Sequence, residues 1–352
     1  MERDVLSIRQ MMVLLVTALL APASDLLPVL SAQKAGGGGW LTVLGALPLL
    51  LIALWAVSGV IRDRGAGQML GGLPRYIIIM VYLTWTLLTL MLSLRLCRAR
   101  LSVIYGEGPA FVFTLVLLIV AVWMGLGKTS ALARAGEVFY LALAVALAGV
   151  LFLSVFKVEG ENLLLSAEEA AALPEGSVAA AGLLLNILPA AVLGKKVSVK
   201  PRNTHRAVGW TVAFCIVITL LLGAIIGCAG PQLTARLPAP FLTMVQGLGI
   251  KGTFQRTEAL AAALWTLSDL TLAGLLLHTW RDLASQLHGG KWSRWSILPV
   301  AAAAIVGGWM FFASVDETRI FCCRVLPVIG LILGLICPLS ARFLLRLQKK
   351  RP

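Results

Sequence analysis

The sequence predicts an all-α integral membrane protein of ten transmembrane helices, arranged as two halves of five. Three observations carry that prediction. First, of the 352 residues 59% are hydrophobic and 13% are charged, with a mean hydropathy of +0.92. Soluble domains carry about 45–50% apolar and about 25% charged residues. Second, the apolar residues fall in runs of helix length, about 20 residues each, whereas barrel strands would alternate over about ten. Third, two of the runs, in corresponding places of the two halves, are interrupted by proline, the pattern of an inverted-repeat transporter. A water-soluble globule and a disordered chain are both excluded. The chain reads as one polytopic domain over 1–352, with a first repeat over about 8–156 and a second over about 178–345.

Charged or Gly/Pro punctuation places the spans in order. The first, Ile8–Leu30, is followed by the glycines Gly36–Gly39, read as a flexible turn. Trp40–Ile61 stops at Arg62 and Arg64, and Arg75–Arg95 stops at the basic run Arg95, Arg98, Arg100. Pro109–Gly127 stops at Lys128, and Gly136–Phe156 runs out into the acidic stretch Glu159, Glu161, Glu168, Glu169 and Glu175. The second five are Val178–Leu193, Val208–Ala229, Glu258–Thr279, Trp295–Phe312 and Val325–Leu345, separated by Lys195, Lys196, Arg202, Arg236, Arg281 and Arg294.

Charge sets the orientation. With the N-terminus cytoplasmic, two-thirds of the 30 basic residues lie on the inner side and the acidic stretch lies outside. The positive-inside rule therefore places both termini in the cytoplasm with an even number of spans. The net charge of +14 is a topological label, and no nucleic-acid partner is expected. The basic tail Arg346–Arg351 anchors the inner leaflet of the bilayer. A second reading of the N-terminus is a signal peptide, Met11–Leu20 followed by Ala21-Pro22-Ala23. Glu2 and Asp4 cancel Arg3 and Arg9 in its n-region, which weighs against it.

The interrupted helices are spans one and six. Span one carries Ala21, Pro22, Ala23, Ser24 and Asp25, with Pro28 beyond, and proline removes a helix donor. Span six carries Asn186 and Pro189. Unwound backbone at mid-membrane is tolerated where it lines a cavity, and half-helix ends there suit the two charges of an amino acid. The simpler alternative is a pair of ordinary proline kinks. Asp25 and Asp269 are acids inside spans, where a charge is costly and normally faces a cavity or a partner. The alternatives are that Asp25 caps the broken helix and that Asp269 is a neutral acid bonded to a neighbouring helix, with Thr266, Ser268 and Thr271 around it. Arg95, Arg98 and Arg100 at the outer end of span three face Arg256 and Glu258 at the start of span eight. They form either an outer arginine–carboxylate pair or a set of snorkelling interface residues.

Enzymatic and cofactor chemistry has no support. Gly125-Leu126-Gly127-Lys128-Thr129 lacks the leading glycine of a phosphate loop, having Val122 instead. Six cysteines without a CxxC pair and three scattered histidines make neither a disulfide frame nor a metal site. The expectation is a chain with no cofactor, no metal and no catalytic residue.

Specific residues then resemble a family. Phe254-Gln255-Arg256-Thr257-Glu258 with Trp265 beyond looks like the F-x-R-x-E…W signature of the endospore germination permeases. These are the B subunits of GerA-type germinant receptors in the amino acid–polyamine–organocation superfamily. Pro28, Ala35-Gly36 and Trp40 resemble the family's stretch between spans one and two, and Ala133–Tyr140 its entrance to span five. Ser7-Ile8-Arg9-Gln10 is similar to its opening. The resemblance implies a LeuT-like 5+5 inverted repeat with broken helices 1 and 6, in the spore inner membrane. It implies partnership with a receptor A subunit and a lipoprotein C subunit, and a small-molecule germinant, often an amino acid, bound between spans one, three, six and eight. That pocket would hold Ala21, Pro22, Ala23, Ser24 and Asp25, with Trp85, Asn186, Thr266 and Asp269 as neighbours by span geometry. Arg95, Arg256, Glu258 and Trp265 would have structural or coupling roles. This chain departs from the family's glycine-bearing span one and from its span six at the proposed pocket. The competing reading is a stand-alone, proton-coupled amino-acid transporter.

Overall fold

The computed structural model describes residues 6–63, 73–185, 201–248, 257–288, 294–312 and 314–350. They form helices and turns, with no strand among the described residues. The helices are α1 (Ile8–Ala35), α2 (Thr42–Asp63), α3 (Leu73–Tyr105), α4 (Glu107–Leu126), α5 (Thr129–Ser154) and α6 (Ala167–Leu184). There follow α7 (Pro201–Ala229), α8 (Pro240–Leu248), α9 (Thr257–His288) and α10 (Ile297–Phe311). The chain closes with α11 (Val315–Ile320), α12 (Leu326–Leu331) and α13 (Cys337–Lys350), joined by π-helical turns at Phe321–Val325 and Ile332–Ile336. Seven helical stretches of the described residues are long and apolar enough to cross a membrane, the first of which, Ile8–Val60, contains α1 and most of α2.

Helix α1 is the axis of the molecule. It begins at a capping box, in which Ser7 Oγ accepts from the Gln10 N–H and the Gln10 side chain accepts from the Ser7 N–H. Apart from a few positions it is buried on every face, as a hydrophobic helix with no amphipathic stripe should be. It packs against α5, α6, α7 and α9. Helix α5 instead turns Val138, Leu141, Val145 and Phe152 outward, the apolar exterior of a lipid-facing span.

Four expectations are corrected. Helix one is not broken: α1 runs as one α-helix through Pro22 and Pro28. Hydroxyl groups bind the backbone near the prolines, as the site below shows, and the helix stays continuous there. Span three does not stop at Arg95 but continues nearly three turns to Tyr105, carrying Arg98 and Arg100 within the helix. Leu96, Ala99, Leu101 and Val103 keep that stretch apolar enough to remain helical inside the protein. The helix at span six begins at Ala167, earlier than expected, so Glu168, Glu169 and Glu175 lie on it rather than in a loop. Its proposed break, Asn186 and Pro189, lies outside the described residues.

The fourth correction concerns Gly36–Gly39, which is a packed turn, not a flexible one. Gly36 ends α1 at φ +50°, a left-handed conformation that glycine adopts freely. A 3₁₀ turn, Gly36–Leu41, follows. A Cβ on Gly37 would collide with the Leu164 carbonyl, so the backbones themselves are in contact. Glu169 fastens this turn: one carboxyl oxygen accepts from the Gly37 N–H at 2.8 Å and the other from the Ser166 N–H at 3.0 Å.

Those backbone donors hold the Glu169 carboxyl below its ordinary range. A depressed folded-state pKa contributes stability that is present above the ordinary glutamate range and is lost as pH falls through the depressed value. Glu169→Ala is expected to cost about 1 kcal/mol near neutral pH, held to that size by solvent exposure. Thermal unfolding in detergent, run against pH, should show the two proteins converging in acid. A pH-independent difference would assign the loss to packing instead.

Candidate functional site

Three helices bring three charged residues together inside the protein. Arg100 on α3 is 2% exposed, and Asp25 on α1 and Asp269 on α9 are each 4% exposed. Arg100 Nε and Nη2 both donate to Asp25 Oδ2, at 3.0 and 2.5 Å. Its Nη1 donates to Asp269 Oδ2 at 2.6 Å. Removing charges from water is costly, and only tight, multiply bonded pairing offsets it. The planar guanidinium can supply that pairing to two carboxyls at once, which an ammonium cannot. Among the described residues Asp25 Oδ1 has no hydrogen-bond partner although it is buried.

A second seam runs below this network. Ser268 Oγ donates to the Thr17 carbonyl at 2.6 Å and accepts from the Ala21 N–H at 2.9 Å. Thr17 C=O and Ala21 N–H are the pair that bond to each other in an uninterrupted helix. The α9 hydroxyl is thus wedged into the α1 ladder one residue before Pro22, a recognised way of bending a helix without breaking it. Farther along, Ser24 Oγ donates to the Ala21 carbonyl at 2.8 Å and accepts from Trp265 Nε1 at 2.7 Å. Trp265 is fully buried and stacks on Phe241 of α8, with centroids 4.0 Å apart. Trp265, Ser268 and Asp269 recur at helical spacing, so one face of α9 grips α1 from Thr17 to Asp25.

The expected site residues therefore divide. Ala21, Ser24, Asp25, Trp265 and Asp269 meet in these two clusters, with Pro22 and Ala23 between them on α1. Asp25 does not cap a broken helix: its carboxyl and that of Asp269 are both bound to one arginine, so Asp269 is bonded to a neighbouring helix. Thr266 is half-buried, and its hydroxyl turns back to the Ala263 carbonyl of its own helix. Trp85 is buried on α3, but 15 residues before Arg100, about 22 Å along the helix axis. It does not join the charged cluster. Arg95 donates from Nε to the Phe312 carbonyl at 2.8 Å, and Arg98 pairs with Glu107 at 2.7 Å. Asn186, Arg256 and the Glu258 side chain lie outside the described residues.

Arg100 and Ser268 do not stand out as site residues in the sequence. In sequence Arg100 resembles the flank of a span, because basic residues commonly follow an apolar run. Its signal was the apolar run beyond Arg95, with Cys97, Arg100 and Leu101 falling on one helical face.

No family model matches the chain, and no curated protein matches it by sequence. Solved structures do. The chain is similar to MhsT, crystallised in complex with L-phenylalanine, with a TM-score of 0.67 at 13% identity over 96% of this chain and 95% of that one. At that identity the likeness establishes architecture alone: the chain has the LeuT-type helical fold of a membrane transporter.

Proposed function

We propose that this chain is the nutrient-sensing membrane subunit of a spore germination receptor, taking an amino acid inside the membrane where α1, α3 and α9 meet. The observation that carries the reading is the buried Asp25–Arg100–Asp269 network. Buried ionisable groups are costly within a membrane protein and are usually kept for function. The fold it shares with an amino-acid complex of MhsT supports the ligand class. The germination-permease resemblance of Phe254–Glu258 and Trp265 supports the receptor role, the spore inner membrane, the cytoplasmic termini, and the A and C subunit partners.

One observation favours a second reading, a proton-coupled transporter. Among the described residues two carboxyls share a single guanidinium, leaving one carboxyl without a full counter-charge. Reconstitution separates the two. The receptor reading expects the purified chain in proteoliposomes to bind an amino acid specifically without accumulating it under an inward proton gradient, and to co-purify with A and C subunits. Concentrative uptake by the single chain, lost in Asp25→Asn, would replace the receptor with the transporter.

A further inference from the structure

The end of α3, the start of α4 and the end of α10 come together on the outside of the bundle, and a shallow groove runs between them. Met91 and Leu94 of α3 are its buried floor, and Leu115 of α4 and Ile305 and Gly308 of α10 line its sides. A Cβ on Gly308 would lie 3.1 Å from the Met91 carbonyl oxygen, so α10 rests almost directly on the α3 backbone. Leu115 and Trp309 at the rim are 39% and 64% exposed, and their neighbours Val112, Val116, Val306 and Met310 are exposed too. The groove therefore opens on an apolar exterior, which in a membrane-spanning chain is the surface turned to lipid.

Arg98 adds a charge to this apolar lining. Its guanidinium carbon lies 5.6 Å from the ring centroid of Phe111 and 6.0 Å from that of Trp309, two residues that line the groove with it. Arg98 Nε and Nη2 both donate to Glu107 Oε2, at 3.1 and 2.7 Å. One cation and one anion are thus held side by side, with the Arg98 side chain 19% and the Glu107 side chain 65% exposed. Arg98 Nη1 and Glu107 Oε1 make no hydrogen bond among the described residues. Tyr105 and Phe113, with ring centroids 5.3 Å apart, flank Glu107 along the chain. Aromatic residues gathered at helix ends mark the headgroup level of a bilayer. The groove thus joins an apolar channel to a fixed pair of opposite charges where lipid tails meet lipid headgroups.

We propose that this groove binds a phospholipid whose headgroup carries a primary ammonium, a phosphatidylethanolamine, with its phosphate on Arg98, its ammonium on Glu107 and one acyl chain along the groove. Charge complementarity selects the headgroup. A phosphodiester beside the guanidinium gains charge-assisted hydrogen bonds. An ammonium two carbons away from that phosphate has N–H groups to donate to the neighbouring carboxylate, whereas a trimethylammonium has none. A headgroup with phosphate alone satisfies Arg98 but sets a negative charge beside Glu107. The two rings and Glu107 hold the guanidinium in place before the lipid arrives, which lowers the cost of ordering it. The site is separate from the Asp25–Arg100–Asp269 network and does not depend on the function proposed for it.

The test uses the full chain, purified in dodecyl maltoside and stripped of lipid. It is titrated separately with dioleoyl phosphatidylethanolamine, dioleoyl phosphatidylcholine and dioleoyl phosphatidylglycerol. Native mass spectrometry counts the bound lipid and thermal shift reads the stabilisation. Phosphatidylethanolamine should bind about tenfold more tightly than either of the others, the worth of one hydrogen bond to a charged group. Glu107→Gln should weaken phosphatidylethanolamine alone, to the level of phosphatidylcholine. Arg98→Gln should weaken all three, since all carry the phosphate. Leu115→Trp, which fills the groove, should also weaken all three. Glu107 is exposed and its substitution leaves the core intact, so the test stays decisive if Arg98→Gln fails to fold. Equal binding of the three lipids would overturn the proposal, as would a preference for phosphatidylethanolamine that survives Glu107→Gln. Tightest binding of phosphatidylglycerol would overturn it in favour of a site for anionic lipid. No bound phospholipid at all would also overturn it and leave the groove to a helix of another chain.

Discussion

Arg100→Met should leave little folded protein. The substitution keeps most of the side-chain volume but removes the only guanidinium among the described residues that is bound to Asp25 and Asp269, both about 4% exposed. Breaking a buried pair by deleting one partner costs about 3–5 kcal/mol, because an uncompensated charge remains. Here two carboxyls are stranded, on two different helices, so α1 and α9 repel where they now share a cation. Size-exclusion chromatography of the detergent-solubilised protein should show aggregate in place of a single peak. Arg100→Lys should fall between, since one ammonium cannot fork to Asp25 while also reaching Asp269. The informative control is Asp25→Asn with Arg100→Met and Asp269→Asn, which removes every charge together. Replacing a buried ionic group by neutral groups of similar volume is often neutral or stabilising. The triple variant should therefore recover the peak and fail to bind ligand. A native peak and unchanged melting for Arg100→Met alone would show that the carboxyls have another counter-charge.

Trp265→Ala carries the second largest expected effect. Trp265 is fully buried, stacked on Phe241, and donates to Ser24. Deleting a buried tryptophan costs about 3–5 kcal/mol through lost transfer energy and the cavity left behind. Trp265→Phe preserves much of the stacking and removes only the indole donor, for about 1–2 kcal/mol. The two melting temperatures should be well separated, with alanine far lower. Equal losses would mean that the Ser24 bond, not the packing, holds α8 and α9 to α1.

How much of this was legible depends on the residue. Span placement was good wherever apolar runs ended in loops, as at Ala229 and Phe312. It failed where a helix carried charge inside the protein. Arg95, Arg98 and Arg100 looked like three equivalent flanking residues. One instead bonds the Phe312 carbonyl, one pairs with Glu107, and one is buried between two acids. Asp25 and Asp269 were recognisable as unusual because acids are rare in spans, but nothing in their neighbours along the chain named a partner. The prolines of α1 were visible and their effect was overestimated. Serine hydroxyls, one from α1 itself and one from a helix more than 240 residues away, bind the backbone around them.

By itself the sequence determined that the chain is helical and belongs in a bilayer, because hydropathy and its run length are local properties of consecutive residues. The MhsT-like architecture agrees with that reading. Only the tertiary structure decided which charges meet. Arg100 is 75 residues from Asp25 and 169 from Asp269, and their contact depends on the rotation and depth of three helices. No local pattern encodes those variables. Packing sets them, as α1 is enclosed on all sides and each helix must present small or polar residues where its neighbour comes close.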